Sequence, residues 1–231
     1  MRVMLLCLLC LVGALAQAAA APPARIEIRY AVQFGTMTIG EGRDVFEHRN
    51  GRYQVRSESK TVGLAAVYRL DVKRESRGRI DDDGLRPEFF EEIRNGKTKR
   101  RVNFDWSKRQ ATLFDGENTK VVELPDNTWD STSFGYNFTF ARPQPSDFPV
   151  NLTDGRRISD YRYSILGKER LETQIGTLET LHVKKVQEPG DKRGLEVWLA
   201  QDHHNLPVRI RYVGKDGRVL DSIVTRIDYF N

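Results

Sequence analysis

Apolar and charged residues alternate with a period of two along much of this chain. Ile26, Ile28, Tyr30, Val32 and Phe34 fall on one side of an extended segment, and Arg25, Glu27, Arg29 and Gln33 fall on the other. Val102, Phe104 and Trp106 alternate with Arg101, Asn103 and Asp105, Val208, Ile210 and Tyr212 alternate with Arg209 and Arg211, and Ile223, Thr225, Ile227 and Tyr229 repeat the pattern. One apolar and one charged face per strand is what an antiparallel sheet with one wet side requires. Turn signals punctuate these segments at Asn50-Gly51, Asp83-Gly84, Asn95-Gly96, Asp115-Gly116, Asp154-Gly155 and Asp216-Gly217. Such dipeptides accept the positive φ angles of tight hairpins. The pattern predicts a mainly β fold, a single antiparallel sheet of about ten to twelve strands, and shows no internal repeat.

One stretch breaks the rhythm. Asp126 to Pro143 reads DNTWDSTSFGYNFTFARP and holds Trp129, Phe134, Tyr136, Phe138 and Phe140. As a strand it places Phe134, Tyr136, Phe138 and Phe140 on one face. As a helix it places Trp129, Tyr136 and Phe140 on one face, with Phe134 and Phe138 opposite, and such a helix must be buried on both sides. Periodicity favours the strand. Asp130, set among aromatics, is expected to cap a helix or to act as a buried polar anchor, with capping preferred. The following link, Arg142 to Pro149, carries three prolines and cannot belong to a central strand. It divides the chain into an N-terminal and a C-terminal meander.

The N-terminus has a different character. Arg2 precedes an apolar run from Val3 to Ala16, which is shorter than a membrane span and passes into the small-residue tract Ala16-Gln17-Ala18-Ala19-Ala20-Ala21. This predicts a secretory signal peptide over residues 1–20 and one mature domain over 21–231. Cys7 and Cys10, the two cysteines, would leave with the signal, so the mature domain must be stabilised by its core without disulfides. Export without disulfides points to a bacterial periplasm. Basic and acidic residues are mixed, with a net charge of +5 for the whole chain. The one dense basic run, Lys97 to Arg101, follows a turn and reads as a solvated hairpin, so nucleic-acid binding is not expected. With 30% of its residues charged, the chain does not read as an outer-membrane barrel either, and no segment after the signal resembles a membrane span.

Catalytic signatures are missing. No G-x-S-x-G nucleophile turn, phosphate-binding loop, dinucleotide fingerprint or H-E-x-x-H pair occurs, and the mature domain has no thiolate for a metal. Asp202-His203-His204 reads as a polar loop, because neighbours on a strand face opposite sides. The runs Asp81-Asp82-Asp83 and Glu91-Glu92 read as solvated charge. No enzymatic activity, metal or cofactor is therefore expected.

Several spaced motifs then come together: Ile39-Gly40-Glu41, Ser76-Arg77-Gly78, Gly84-Leu85-Arg86-Pro87, Phe104-Asp105-Trp106, Asp130-Ser131, Trp198-Leu199-Ala200 and Leu206-Pro207-Val208. In this order they resemble the bacterial envelope family catalogued as domain of unknown function 3108. The resemblance implies an exported, mostly β protein similar in outline to the open half-barrels of periplasmic lipoprotein carriers. Such a strongly curved sheet wraps around helical material, which implies one helical segment near 127–141. It also implies a function: a binding module holding a lipid, acyl chain or other hydrophobic ligand, contacted by Trp129, Phe134, Tyr136, Phe138 and Phe140. The alternative is a structural or assembly factor of the cell envelope that acts through contacts with a protein partner.

Overall fold

The computed structural model describes residues 22–141 and 144–230; the expected signal peptide lies outside them. The N-terminal meander comprises β1 (Arg25–Phe34), β2 (Met37–Arg49), β3 (Arg52–Thr61), β4 (Asp71–Asp81), β5 (Gly84–Arg94), β6 (Lys97–Asp105), β7 (Gln110–Phe114) and β8 (Thr119–Glu123). Next come β9 (Thr128–Asp130) and the short helix α1 (Ser133–Asn137). The C-terminal meander comprises β10 (Asp147–Thr153), β11 (Ile158–Thr173), β12 (Gly176–Lys185), β13 (Gly194–Ala200), β14 (Leu206–Val213) and β15 (Val219–Phe230).

The strands form one open sheet of 15, ordered β8-β7-β6-β5-β4-β3-β2-β1-β15-β14-β13-β12-β11-β10-β9. The two meanders meet where β1 pairs with β15, so both ends of the described chain lie mid-sheet. Two expectations need correction. The strand number exceeds ten to twelve, because turns without an Asn-Gly or Asp-Gly signal, such as Gly35-Thr36 and Gln174-Ile175, join further strands. The sheet is also mixed, since β9 returns to pair in parallel with β10.

The sheet is strongly curved. In its order β4, β3, β2, β1 and β15 lie between β5 and β14, which would separate those two strands by roughly 30 Å in a flat sheet. Nevertheless the five-residue α1 touches both, and β5 also touches β9 near the far edge. Six register shifts supply part of the bending, among them those at Val32/Gln33, Arg77/Gly78 and Trp198/Leu199, because a bulge sharpens the local twist.

The shift at Gly78 has a sequence cause. Pro87 brings no N–H to β5, a strand flanked on both sides, and it faces Gly78 across the ladder. There the backbones approach so closely that a Cβ on Gly78 would lie 2.1 Å from the Arg86 carbonyl oxygen. The indole N–H of Trp106 donates to the Pro87 carbonyl at 2.6 Å, where the β6 backbone no longer pairs.

The basic run at the start of β6 is not uniformly solvated. Arg101 pairs with Glu91 on the outer side, but Arg100 is buried and donates to the Asp154 carboxylate at 2.7 Å. This contact ties the N-terminal meander to the β10–β11 turn and helps hold the curl.

Gly78→Ala is expected to lower stability by about 2–3 kcal/mol through backbone overpacking. Urea unfolding checks this, and an unchanged midpoint would contradict the close approach.

Candidate functional site

The segment from β9 through α1 lies inside the curved sheet. β9 is extended, α1 is a single helical turn, and turns continue to Phe140, so the segment is strand and helix in succession. The helical part sorts its rings at i, i+4 spacing. Phe134 and Phe138 face the C-terminal meander, with Phe134 4.7 Å from Tyr163 and Phe138 6.0 Å from Phe148 between ring centres. Tyr136 and Phe140 face the N-terminal meander, each 5.4 Å from Phe46. Trp129 joins Phe134 and not Tyr136, because it belongs to the strand before the helix begins. Trp129, Phe134, Tyr136 and Phe138 are buried and Phe140 is partly so. All five pack on one another or on the sheet, as a plug in the trough.

Polar contacts fix this plug. Asp130 is fully buried, and its carboxylate accepts from Ser76 Oγ on β4 at 2.6 Å, Ser133 Oγ at 2.8 Å and the backbone N–H groups of Thr132 and Ser133 at 2.8 and 2.9 Å. It thus serves as both cap and anchor. The Leu85 peptide is held from both sides: its N–H donates to Asn137 Oδ1 at 2.7 Å, and its carbonyl accepts from Trp129 Nε1 at 2.9 Å. Gly84 permits this, since its φ is +108° and a Cβ there would sit 2.3 Å from Asn137 Oδ1. On the other wall Tyr136 donates its hydroxyl to Asp44 at 2.8 Å, and Tyr30 donates to the Pro207 carbonyl at 2.7 Å. Burial pushes the Asp130 and Asp44 carboxyls above their ordinary range, opposed by the hydrogen bonds they accept, and raises the Tyr30 and Tyr136 hydroxyls further.

Beyond the plug the inner face of the C-terminal meander continues. The buried positions Val183 and Val197, paired across β12 and β13 and in line with Ile210 on β14, belong to the same core as Phe134. Two residues further along each strand, on the same face, lie Lys185, Leu195 and Tyr212, while β11 contributes Tyr161 beyond Tyr163. These positions open into a cleft of about 350 Å³, lined also by Leu152 and bordered by Arg156, Arg157, Arg193 and Lys215. Tyr163 borders it too, although the residue is only 1% exposed, and its hydroxyl finds no hydrogen-bond partner among the described residues. Lys185 is buried, with its Nζ 2.6 Å from Asp191 and 4.2 Å from the centre of the Tyr161 ring.

A second, smaller cleft of about 140 Å³ is bordered by Asp81, Asp83, Asp126, Arg86, Trp106 and Trp129 among others. Of the five aromatic residues singled out by sequence, Trp129 borders this one and none borders the larger. The larger cleft was not visible in the sequence, because its residues come from several strands and from the connections between them. The one local signal was the pair Arg156-Arg157 directly after the Asp154-Gly155 turn. Among the described residues no group of three or more His, Cys, Asp and Glu side chains could hold a metal, and no helix is long and apolar enough to cross a membrane. His203 sits in a short 3-10 turn, its Nδ1 2.6 Å from the Tyr229 hydroxyl.

These features define an open, plugged half-barrel with an amphipathic cleft at one end. The chain belongs to the family described as protein of unknown function DUF3108, whose model matches residues 29–221. No curated protein matches it in sequence. Among solved structures it is similar to MucB, in a complex with MucA(peri), at TM-score 0.29 and 10% identity over 89% of this chain and 50% of that one. The chain thus spans about half of that protein's length. It is also similar to a candidate lipoprotein from Parabacteroides distasonis ATCC 8503, at TM-score 0.37 and 10% identity over 90% and 96%. Likeness at this level leaves the function to be argued from the site.

The raised Asp130 carboxyl makes a pH-dependent prediction. A carboxyl whose folded pKa lies above its unfolded value binds its proton more readily in the native state, so its contribution to stability is largest at low pH and is lost as pH rises through the folded pKa. The stability advantage of the native chain over Asp130→Asn should therefore narrow from about pH 4 upward, as read by urea unfolding. An advantage that widens with pH would contradict this. Asp130→Ala, which leaves four donors facing the vacated site, should cost about 3 kcal/mol near pH 4, more than Asp130→Asn, and this cost should narrow in parallel as pH rises.

Proposed function

We propose that this protein is an exported, periplasmic binding module that holds a hydrophobic ligand in its curved sheet, without enzymatic activity. The observation that carries the reading is the inner face of the C-terminal meander. It leaves the plugged core and continues as an open cleft floored by Leu152, Tyr161, Leu195 and Tyr212. Concave sites lined by apolar and aromatic side chains with a few polar groups at the rim are the usual form of small-ligand pockets, and about 350 Å³ lies at the small end of their range. The aromatic plug then acts as the inner wall: Phe134 packs on Tyr163, which borders the cleft. Trp129, Phe134, Tyr136, Phe138 and Phe140 support the ligand site by closing the trough behind it.

A second reading, an envelope assembly factor working through protein contacts, draws on a different surface. The 3-10 turn Gly63–Tyr68 buries none of its residues and exposes Leu64, Val67 and Tyr68 at 88%, 78% and 80%. Exposed apolar groups so close together commonly mark a contact surface.

Native mass spectrometry of protein purified from the envelope without detergent is expected to show a co-purifying lipid or other apolar molecule. Leu195→Trp, which fills the cleft from its floor, should remove that mass while leaving the fold intact by circular dichroism. If the ligand is absent, and a protein crosslinked in cells is lost on changing Leu64, Val67 and Tyr68 to Ser, the second reading replaces the first.

A further inference from the structure

We infer that the ligand of the open cleft is a single-chain anionic amphiphile, its acidic head held by Arg156, Arg157 and Lys215 and its chain lying on Leu152, Tyr161 and Leu195. This inference rests on the proposed binding function and adds the chemical class of the ligand.

The charge balance of the cleft is the first reason. Most arginines of the sheet close on carboxylates, as Arg43 does on Glu27, Arg74 on Glu92, Arg209 on Asp221 and Arg226 on Asp228. Two cations at the cleft follow this habit, for Lys185 and Arg193 share Asp191 at 2.6 and 3.0 Å. Asp154, the one carboxylate bordering the cleft, is already engaged: Oδ2 accepts from Arg100 at 2.7 Å, and Oδ1 accepts from the Arg156 backbone N–H at 3.1 Å. Arg156, Arg157 and Lys215 have no carboxylate within ion-pair distance among the described residues, and Arg157 donates only to Ser159 Oγ at 3.0 Å. Three uncompensated cations at one rim create a positive potential that an anion relieves. Arginine forks suit the paired oxygens of a phosphate or carboxylate.

The second reason is independent of net charge. Tyr163 is buried beside the cleft with an unpartnered hydroxyl, and buried polar groups in native structures normally find partners. Burial holds this phenol protonated, so it remains a donor. The hydroxyl is covered as the side chain stands, so a small shift of Tyr163 toward the cleft brings it to an acceptor oxygen near the junction of head and chain. Leu152, Tyr161 and Leu195 give an aromatic and aliphatic surface, and the buried cation beside it, Lys185, is already paired with Asp191, so this part suits a hydrocarbon and not a second charge. The small volume favours one chain over a bulkier multi-chain lipid.

The test uses purified protein and probes with a common twelve-carbon chain, each below its micelle threshold: dodecyl phosphate, dodecyl maltoside and dodecyltrimethylammonium, with inorganic phosphate as the chainless control. Calorimetric titration should show dodecyl phosphate binding roughly tenfold or more tightly than the maltoside, the size of one good charge-assisted hydrogen bond. The cationic probe should bind weakest. The variant R156Q/R157Q/K215Q changes three exposed side chains and should keep its unfolding midpoint while the preference shrinks to about twofold or less. Rising salt should shrink the preference in the native protein as well. Equal affinity for phosphate and maltoside heads would overturn the anionic inference and leave the hydrophobic site standing. Inorganic phosphate binding as tightly as dodecyl phosphate would overturn the amphiphile in favour of a free anion. If no dodecyl probe binds at all, this inference and the proposed function fall together.

Discussion

Asp130 and the Leu85 peptide carry polar groups into the driest part of the molecule, and neither could lie there without the other elements that satisfy them. A buried carboxylate without donors, or a buried peptide without partners, costs several kcal/mol. Here the costs cancel in pairs. The carboxylate consumes the free N–H groups at the start of α1 and reaches across to Ser76 on β4. The Leu85 peptide, at the start of β5, takes Asn137 on one side and Trp129 on the other. This set of hydrogen bonds makes a five-residue helix, too short to be stable alone, a fixed part of the core.

The plug in turn explains the shape around it. An open sheet of fifteen strands exposes its inner face unless something covers it, and rings from one short segment cover it from both directions. α1 is held against β14 where Gly135 meets Pro207 at 3.2 Å from its Cβ position, and against β5 at Leu85, so two distant parts of the sheet are drawn together. Arg100 reinforces the curl by reaching Asp154 in the β10–β11 turn. Where the plug ends, the inner face of the C-terminal meander is uncovered, and that boundary creates the cleft. The cleft therefore depends on the plug although none of the plug's five rings borders it.

Much of this architecture was legible in the sequence, because it rests on local rules. All six Asn-Gly and Asp-Gly pairs fall at turns between consecutive strands, with Gly84 already opening β5, and the alternation in β1 correctly buries Ile26, Ile28 and Tyr30. Phe34 escapes burial because a register shift at Val32/Gln33 ends the pattern before the strand does. The short β9 could not be read, since three residues are too few for a period and its partner β10 begins inside the stretch whose prolines argued against a central strand; Pro149 is tolerated there because β9 pairs only with Asn151 to Thr153. Spacing favoured a strand from Phe134 to Phe140, where the chain instead makes the helical turn that the family resemblance implied, and the side taken by Trp129 followed from neither. Arg100 looked solvated within a basic run because its partner, Asp154, lies 54 residues away. The cleft was hidden for the same reason: Tyr161, Lys185, Leu195 and Tyr212 meet only through strand pairing.

The central claim is that residues 128–140 form a permanent plug and not a lid that leaves the trough to admit a ligand. Native-state hydrogen exchange at the amides of Leu85, Thr132 and Ser133 tests it most directly, since each donates to one of the anchoring groups. The account predicts that these amides exchange only with global unfolding, with protection matching the slowest core amides of β1 and β15. Exchange of all three through a shared local opening, well below the free energy of global unfolding, would contradict it.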